Sequence, residues 1–138
     1  MNVIIFGAGN IGSSLARKLS DLGHRITVIE KSSKAISLLP HVQIDSGAIT
    51  VIHRDGATGV AMLEAEITSA DVFIAATGKD SLNGLVAQRA KTIFNVEKVV
   101  TIVKDESARI LYDSLGISTI DKTTIVSDRL ISDLIEET

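Results

Sequence analysis

MNVIIFGAGNIGSSLARKLSDLGHRITVIE, residues 1–30, is the stretch whose reading decides the fold. Asn2–Phe6 is a run of β-branched and apolar residues and predicts a buried strand. Gly7-Ala8-Gly9-Asn10-Ile11-Gly12 follows at once and matches G-x-G-x-x-G. Ile11, Leu15, Leu19 and Leu22 then recur at helical spacing, and Gly23 ends that helix. Arg25–Ile29 predicts a second strand, closed by Glu30.

Each part of this unit has a physical task in holding a dinucleotide. Gly7 permits the tight turn out of the strand, Gly9 lets a pyrophosphate approach the backbone, and Gly12 lets the helix pack close to the sheet. The free N–H groups and positive end of the helix favour an anion. Glu30 stands 18 residues after Gly12 and can accept hydrogen bonds from the ribose hydroxyls of an adenosine. Its carboxylate would repel a 2′-phosphate, which disfavours NADP. Packing alone would account for Gly7 and Gly12 but would leave Gly9 and Glu30 as coincidences.

Composition narrows the alternatives. The 138 residues suit one domain of ordinary size. Hydrophobic residues make up 45% and aromatics only 3%, so the core must be aliphatic. A net charge of −3, without a basic block or aromatic platform, argues against nucleic acid. There is no cysteine, hence no disulfide or thiolate chemistry. His24, His41 and His53 lack metal-ligand spacing. No apolar run reaches the roughly 18–20 residues that span a bilayer. The N-terminus has no basic n-region, which argues against a signal peptide. A soluble cytoplasmic protein is expected.

The rest of the chain alternates strands and helices. A serine at 32–33 can cap a predicted helix over Lys34–Leu39, which stops at Pro40. Residues 41–47 read as a connection. Ala48–His53 predicts the third strand, followed by the polar, glycine-rich turn Arg54-Asp55-Gly56-Ala57-Thr58-Gly59. In an open parallel sheet the carboxyl ends of the strands are where ligands bind. Asp55 either touches such a ligand or caps the next predicted helix, Gly59–Glu66, and the two readings are compatible. Val60, Leu63 and Ile67 are expected to face the core from that helix. Ala70–Ala76 predicts strand four, with Thr77 and Gly78 at its carboxyl end. Lys31 and Lys79 could each offer a charge to a ligand, although a solvated lysine is the simpler reading of both. Predicted elements then follow at Asp80–Phe94 (helix), Lys98–Val103 (strand), Glu106–Leu115 (helix), Ile117–Ile120 (strand) and Thr124–Glu136 (helix). In the last helix Val126, Leu130 and Leu134 recur at i, i+4 and i+8, beside Ile131. The pattern predicts an α/β, doubly wound, parallel six-stranded sheet of Rossmann type, in the order 3-2-1-4-5-6.

A dehydrogenase also needs a substrate site and a group that moves a proton. The nucleotide fold uses the whole chain. His53 reads as an ordinary strand-end residue, and His24 suits a helix C-terminus without catalysis. No nucleophile–base–orienter set emerges, so no catalytic residue is expected. A fragment of an NAD-dependent oxidoreductase that lacks its substrate domain is the alternative, as is an interaction module with an empty cleft.

Four stretches carry a resemblance across essentially the whole chain: MNVIIFGAGNIGSSLARKL, ITVIEK, DGATGVAMLEAEITSADVFIAATGKDSLN and LYDSLGIS. They are similar to the regulator-of-K⁺-conductance (RCK) domain, also called the KTN or TrkA-N domain, of prokaryotic potassium uptake systems and channels. The third stretch is the most specific: it resembles the family's G-D-x-T turn, its I-x-x-A-D entry to strand four and its T-x-x-D/E-x-x-N exit. The resemblance implies a cytoplasmic regulatory subunit, peripheral to the inner face of the membrane, that binds NAD(H), ATP or ADP. Such proteins assemble as homodimers and then rings under a membrane-embedded K⁺ transporter or channel subunit. It implies phosphate contacts in the loop Gly7, Ala8, Gly9, Asn10, Ile11 and Gly12, and a ribose contact at Glu30 beside Lys31. Asp55, Gly56 and Ala57 would lie on the adenine side, and Thr77 and Gly78 along the other half of the nucleotide. Asn83 matches the family's helix-start asparagine. Three positions depart from the family. Asn10 stands where a basic residue is frequent, and Arg54 where glycine is usual. Ile102 stands where an arginine is frequent, leaving Lys104 as the nearest base. Many members also continue into a second ligand-binding subdomain, and the start at Met1 suits a separate subunit.

Overall fold

A computed structural model describes residues 1–56, 58–104 and 106–136. The chain runs β1 (Asn2–Phe6), α1 (Asn10–Asp21), β2 (Arg25–Glu30), α2 (Ser33–Ser37), α3 (His41–Asp45), β3 (Ile49–His53) and α4 (Gly59–Glu64). It continues through a 3₁₀ turn at Ile67–Ser69 to β4 (Val72–Ala75), α5 (Asp80–Thr92) and β5 (Lys98–Val103). A second 3₁₀ turn at Glu106–Ala108 precedes α6 (Arg109–Ser114), β6 (Ser118–Asp121) and α7 (Lys122–Glu136). The six strands form one sheet in the order β3-β2-β1-β4-β5-β6, and every pairing is parallel. The expected Rossmann arrangement is therefore present.

β1 shows why this sheet is covered on both sides. Successive side chains of a strand point to opposite faces. Val3 and Ile5 enter one buried cluster with Ala16, Val28 and Leu39, so α1, α2 and α3 cover that face. Ile4 and Phe6 enter the other, with Met62, Phe73, Val86 and Ala90, under α4, α5 and α6. Both faces must be apolar, which accounts for the unbroken aliphatic runs. β1 pairs with β2 on one side and β4 on the other, so the crossover direction reverses at β1. The crevice between their carboxyl ends is the switch point at which such folds bind ligands.

Several local expectations are corrected. Residues 41–47 are not simply a connection, because His41–Asp45 is a helical turn. Pro40 cannot extend α2, but its carbonyl accepts from the Ile44 N–H and starts α3. Val60 and Leu63 do not face the core: they are 55% and 60% exposed, while Ala61, Met62 and Ile67 are buried. The small Ala61 and, just past the helix end, Ala65 let α4 approach the sheet, Met62 enters the core, and Val60 and Leu63 turn outward. The same rule operates in α5, where Asn83, Gly84, Val86, Ala87 and Ala90 are buried and Ile93 is exposed. Leu22 lies exposed past the end of α1. In α7, Val126, Leu130, Ile131 and Leu134 are all exposed, and no residue of that helix is buried.

Candidate functional site

A cleft of about 400 Å³ opens at the carboxyl edge of the sheet, over the switch point. Phe6, the last residue of β1, and Ile29, its register partner one residue before the end of β2, line it. Glu30, Lys31, Ala35, Arg54, Asp55 and Gly56 border one end, and Ala76, Thr77, Gly78, Lys79 and Leu82 the other. Gly7 and Gly9 lie between.

The glycine loop is held from several sides. Gly7 has φ +106°, a conformation that favours glycine, and its N–H donates to the Ile29 carbonyl at 2.9 Å. A Cβ on Gly12 would fall inside contact distance of the Gly7 carbonyl oxygen, so only glycine lets α1 start this close to the turn. Gly9 differs: a Cβ there would meet nothing within 4 Å. Packing does not require glycine at that position, and the side that a side chain would occupy is open. Gly9 is also the N-cap of α1, without a side-chain cap, and no acidic residue stands in the first turn. The first N–H groups of a helix have no carbonyl one turn earlier to bond, so they are available to an anion.

Glu30 does more than its place in the sequence indicated. One carboxylate oxygen accepts from the Ala8 N–H at 2.7 Å. The other accepts from the N–H groups of Lys31 at 2.9 Å and Ser32 at 3.1 Å. Glu30 thus ties the glycine loop to the start of the segment that Ser32 caps, its Oγ accepting from the Ala35 N–H. A carboxylate carries about four lone-pair sites, so three donors leave room for a ribose hydroxyl.

At the opposite end Thr77 is fixed by Asn83. Oδ1 of Asn83 accepts from the Thr77 N–H at 3.0 Å and from its hydroxyl, and Nδ2 donates to the carbonyls of Thr77 and Ile102. The hydroxyl of Thr77 also accepts from the Lys79 N–H. Asn83 is buried and does not line the cleft, so it supports the Thr77–Gly78 turn from behind.

Of the residues singled out from sequence, Gly7, Gly9, Glu30, Lys31, Asp55, Gly56, Thr77 and Gly78 line this one cleft. Ala8 and Gly12 are buried behind it, and Asn10 and Ile11 open α1 without lining it. Lys104 is not brought in: its side chain is exposed, and its N–H donates to the Asp80 carboxylate at 2.9 Å. Ala57 lies outside the described residues. Sequence reasoning missed Phe6, Ile29, Ala35, Ala76 and Leu82. The first two were discoverable, because residues at or next to the carboxyl ends of neighbouring parallel strands border the ligand edge of the sheet. Arg54 is present at the rim, paired with Glu64.

The comparisons bear on the family and the fold. The TrkA-N domain model matches residues 3–122. "Trk system potassium uptake protein TrkA" of Mycobacterium tuberculosis is 35% identical over 141 residues, which cover 99% of this chain. The chain spans 59% of that relative's length. Among solved structures, the TrkA-N domain of inner membrane protein ybaL from Escherichia coli superposes with a TM-score of 0.82 at 15% identity, covering 96% of each chain. The AMP-bound Shewanella denitrificans Kef CTD superposes with a TM-score of 0.77 at 23% identity, covering 98% of this chain and 80% of that one. The GsuK channel bound to NAD gives 0.72 at 18% identity, covering 90% and 22%. These likenesses show the shared fold. With its family model matched from the first strand to the last and a relative at 35% identity over nearly its full length, the chain belongs to the TrkA-N domain family.

Proposed function

We propose that residues 1–138 form one nucleotide-binding unit of a potassium-uptake regulator. The cleft takes NAD(H) or ATP/ADP as a regulatory ligand, and the bound nucleotide controls K⁺ flux through the geometry of a dimer or ring. One observation carries this reading. The uncapped amino end of α1, the open side of Gly9 and the Glu30 carboxylate meet at the switch point of the sheet. The family and the printed names of its members, which include potassium uptake proteins and a channel bound to NAD, support it. The reading is regulatory: the described residues that line the cleft include no histidine, serine or tyrosine, and its Glu30 and Thr77 side chains are engaged by backbone N–H groups.

Calorimetric titration with NAD⁺, NADH, ATP, ADP and NADPH tests the cleft. Glu30→Ala is expected to weaken binding of the preferred nucleotide by about tenfold or more, since hydrogen bonds to charged groups contribute roughly 1.5–3 kcal/mol. NADPH is expected to bind more weakly than NADH to the unsubstituted chain. Failure of every one of these nucleotides to bind would overturn the reading.

Regulation needs two geometries that the ligand prefers unequally. We assign the dimer contact to the apolar face of α7, where Val126, Leu130, Ile131 and Leu134 stand exposed along one helix. A patch of this kind marks an interaction surface. Leu130→Glu with Ile131→Glu is expected to yield a monomer by sedimentation, with an unchanged melting temperature of the nucleotide-binding body. A dimer that persists would remove α7 from the interface. The partner in this reading is a membrane-embedded K⁺ transporter or channel subunit, which places the regulator at the inner face of the cell membrane. Among the described residues no helix is long and apolar enough to cross a membrane itself.

A further inference from the structure

Arg54 stands where the family usually has glycine, and the structure gives its side chain a defined place. It leaves the carboxyl end of β3 and lines the cleft at the end formed by Ile29, Glu30 and Ala35. Its Nε donates to Glu64 Oε2 at 2.7 Å, and its second terminal nitrogen lies 2.7 Å from Glu64 Oε1. This is a fork: two nitrogens on one edge of the guanidinium meet both oxygens of a carboxylate on α4. The turn beneath it has little freedom, because a Cβ on Gly56 would collide with the Phe6 ring and the Ile29 side chain. The loop is therefore pressed onto the floor of the cleft, and Arg54 is held at its rim.

Two physical consequences follow. The fork engages one edge of the guanidinium, and because N–H donors lie in the plane of the group it makes no use of the flat faces. The pair is partly exposed, so its main effect is to fix the orientation of the guanidinium plane at the rim. Guanidinium planes stack on aromatic rings, and lysine does not reproduce that geometry. We propose that Arg54, braced by Glu64, forms a wall of the base subsite and stacks on the adenine of the bound nucleotide, setting affinity for the base independently of the phosphates. This rests on the nucleotide-binding reading above.

The test is calorimetric titration of the chain with AMP, ADP and ATP, using Arg54→Ala, Arg54→Lys and Glu64→Gln. Stacking predicts that Arg54→Ala weakens all three nucleotides by the same factor, about three- to tenfold. Arg54→Lys should lose as much as alanine does, because it keeps the charge and discards the plane. Glu64→Gln should lose less, because the plane remains but its brace is weakened. Equal binding by the unsubstituted chain and Arg54→Ala would overturn the proposal while leaving the nucleotide cleft intact. So would a loss that grows from AMP to ATP or is rescued by lysine, which would make Arg54 a phosphate contact. If the unsubstituted chain binds none of the three, the proposal falls together with the nucleotide reading.

Discussion

Gly12→Ala is expected to lower the melting temperature by about 5–12 °C and to abolish nucleotide binding, whereas Gly9→Ala should damage binding and leave the fold nearly intact. The two glycines sit three residues apart in one motif, but their surroundings are opposite. An alanine Cβ at position 12 would press into the Gly7 carbonyl oxygen. That carbonyl has nowhere to go. The Gly7 N–H is bonded to Ile29, and the next N–H, of Ala8, is bonded to Glu30. Relief requires α1 to move off the sheet, at a cost of roughly 1–3 kcal/mol, typical of an overpacked core. At position 9 the backbone has φ −72°, which alanine adopts without strain, and the new methyl meets nothing. The stability cost is then limited to replacing a glycine N-cap, below about 1 kcal/mol. The methyl would instead stand where a phosphate must approach, and affinity for any adenine nucleotide should fall at least about tenfold. Thermal unfolding and calorimetric titration of both variants decide the matter. If Gly9→Ala binds normally, the pyrophosphate does not pass over this loop.

The contrast between these glycines also shows what the sequence could convey. The strand–loop–helix–strand unit of residues 1–30 was legible because its signals are local: a β-branched run, a glycine spacing, a helical apolar period and an acid. From it came the sheet order and the edge of the sheet where the cleft lies. Interior details were less legible. Val60 and Leu63 look like core residues because they are large, yet Ala61 and Met62 are buried. Which positions of the helix meet the sheet, not residue size, decides burial, and that depends on how α4 lies against the strands. The link from Glu30 to the Ala8 N–H joins groups 22 positions apart, and no sequence period announces it. Lys104 was the nearest base along the chain but not in space, because its backbone is tied to Asp80 and its side chain leaves the cleft. Arg54 was readable only as a departure from a pattern; its pairing with Glu64 required the fold.

Asn83→Ala is expected to destabilise the protein by about 2–3 kcal/mol and to weaken NAD⁺ more than AMP. Asn83 is 1% exposed and bonds with four partners. Three belong to Thr77 and the fourth is the Ile102 carbonyl, so one amide joins the carboxyl ends of β4 and β5 to the first turn of α5. Truncation leaves partly buried donors and acceptors without partners, and each such loss costs roughly 1–3 kcal/mol. Asn83→Asp should not rescue, because its carboxylate would face the two carbonyls that Nδ2 now serves. The consequence for binding depends on position. Thr77 and Gly78 border the end of the cleft away from Glu30 and Arg54. Loosening them should spare a ligand that ends at its first phosphate and penalise one that extends along the whole crevice. Titration of Asn83→Ala with AMP and with NAD⁺, at a temperature where the variant is fully folded, separates the two. Equal losses would mean that both ligands depend on Asn83 only through the general integrity of the sheet edge. A larger loss for NAD⁺ would make the Thr77–Gly78 turn the wall against which the second half of a dinucleotide rests.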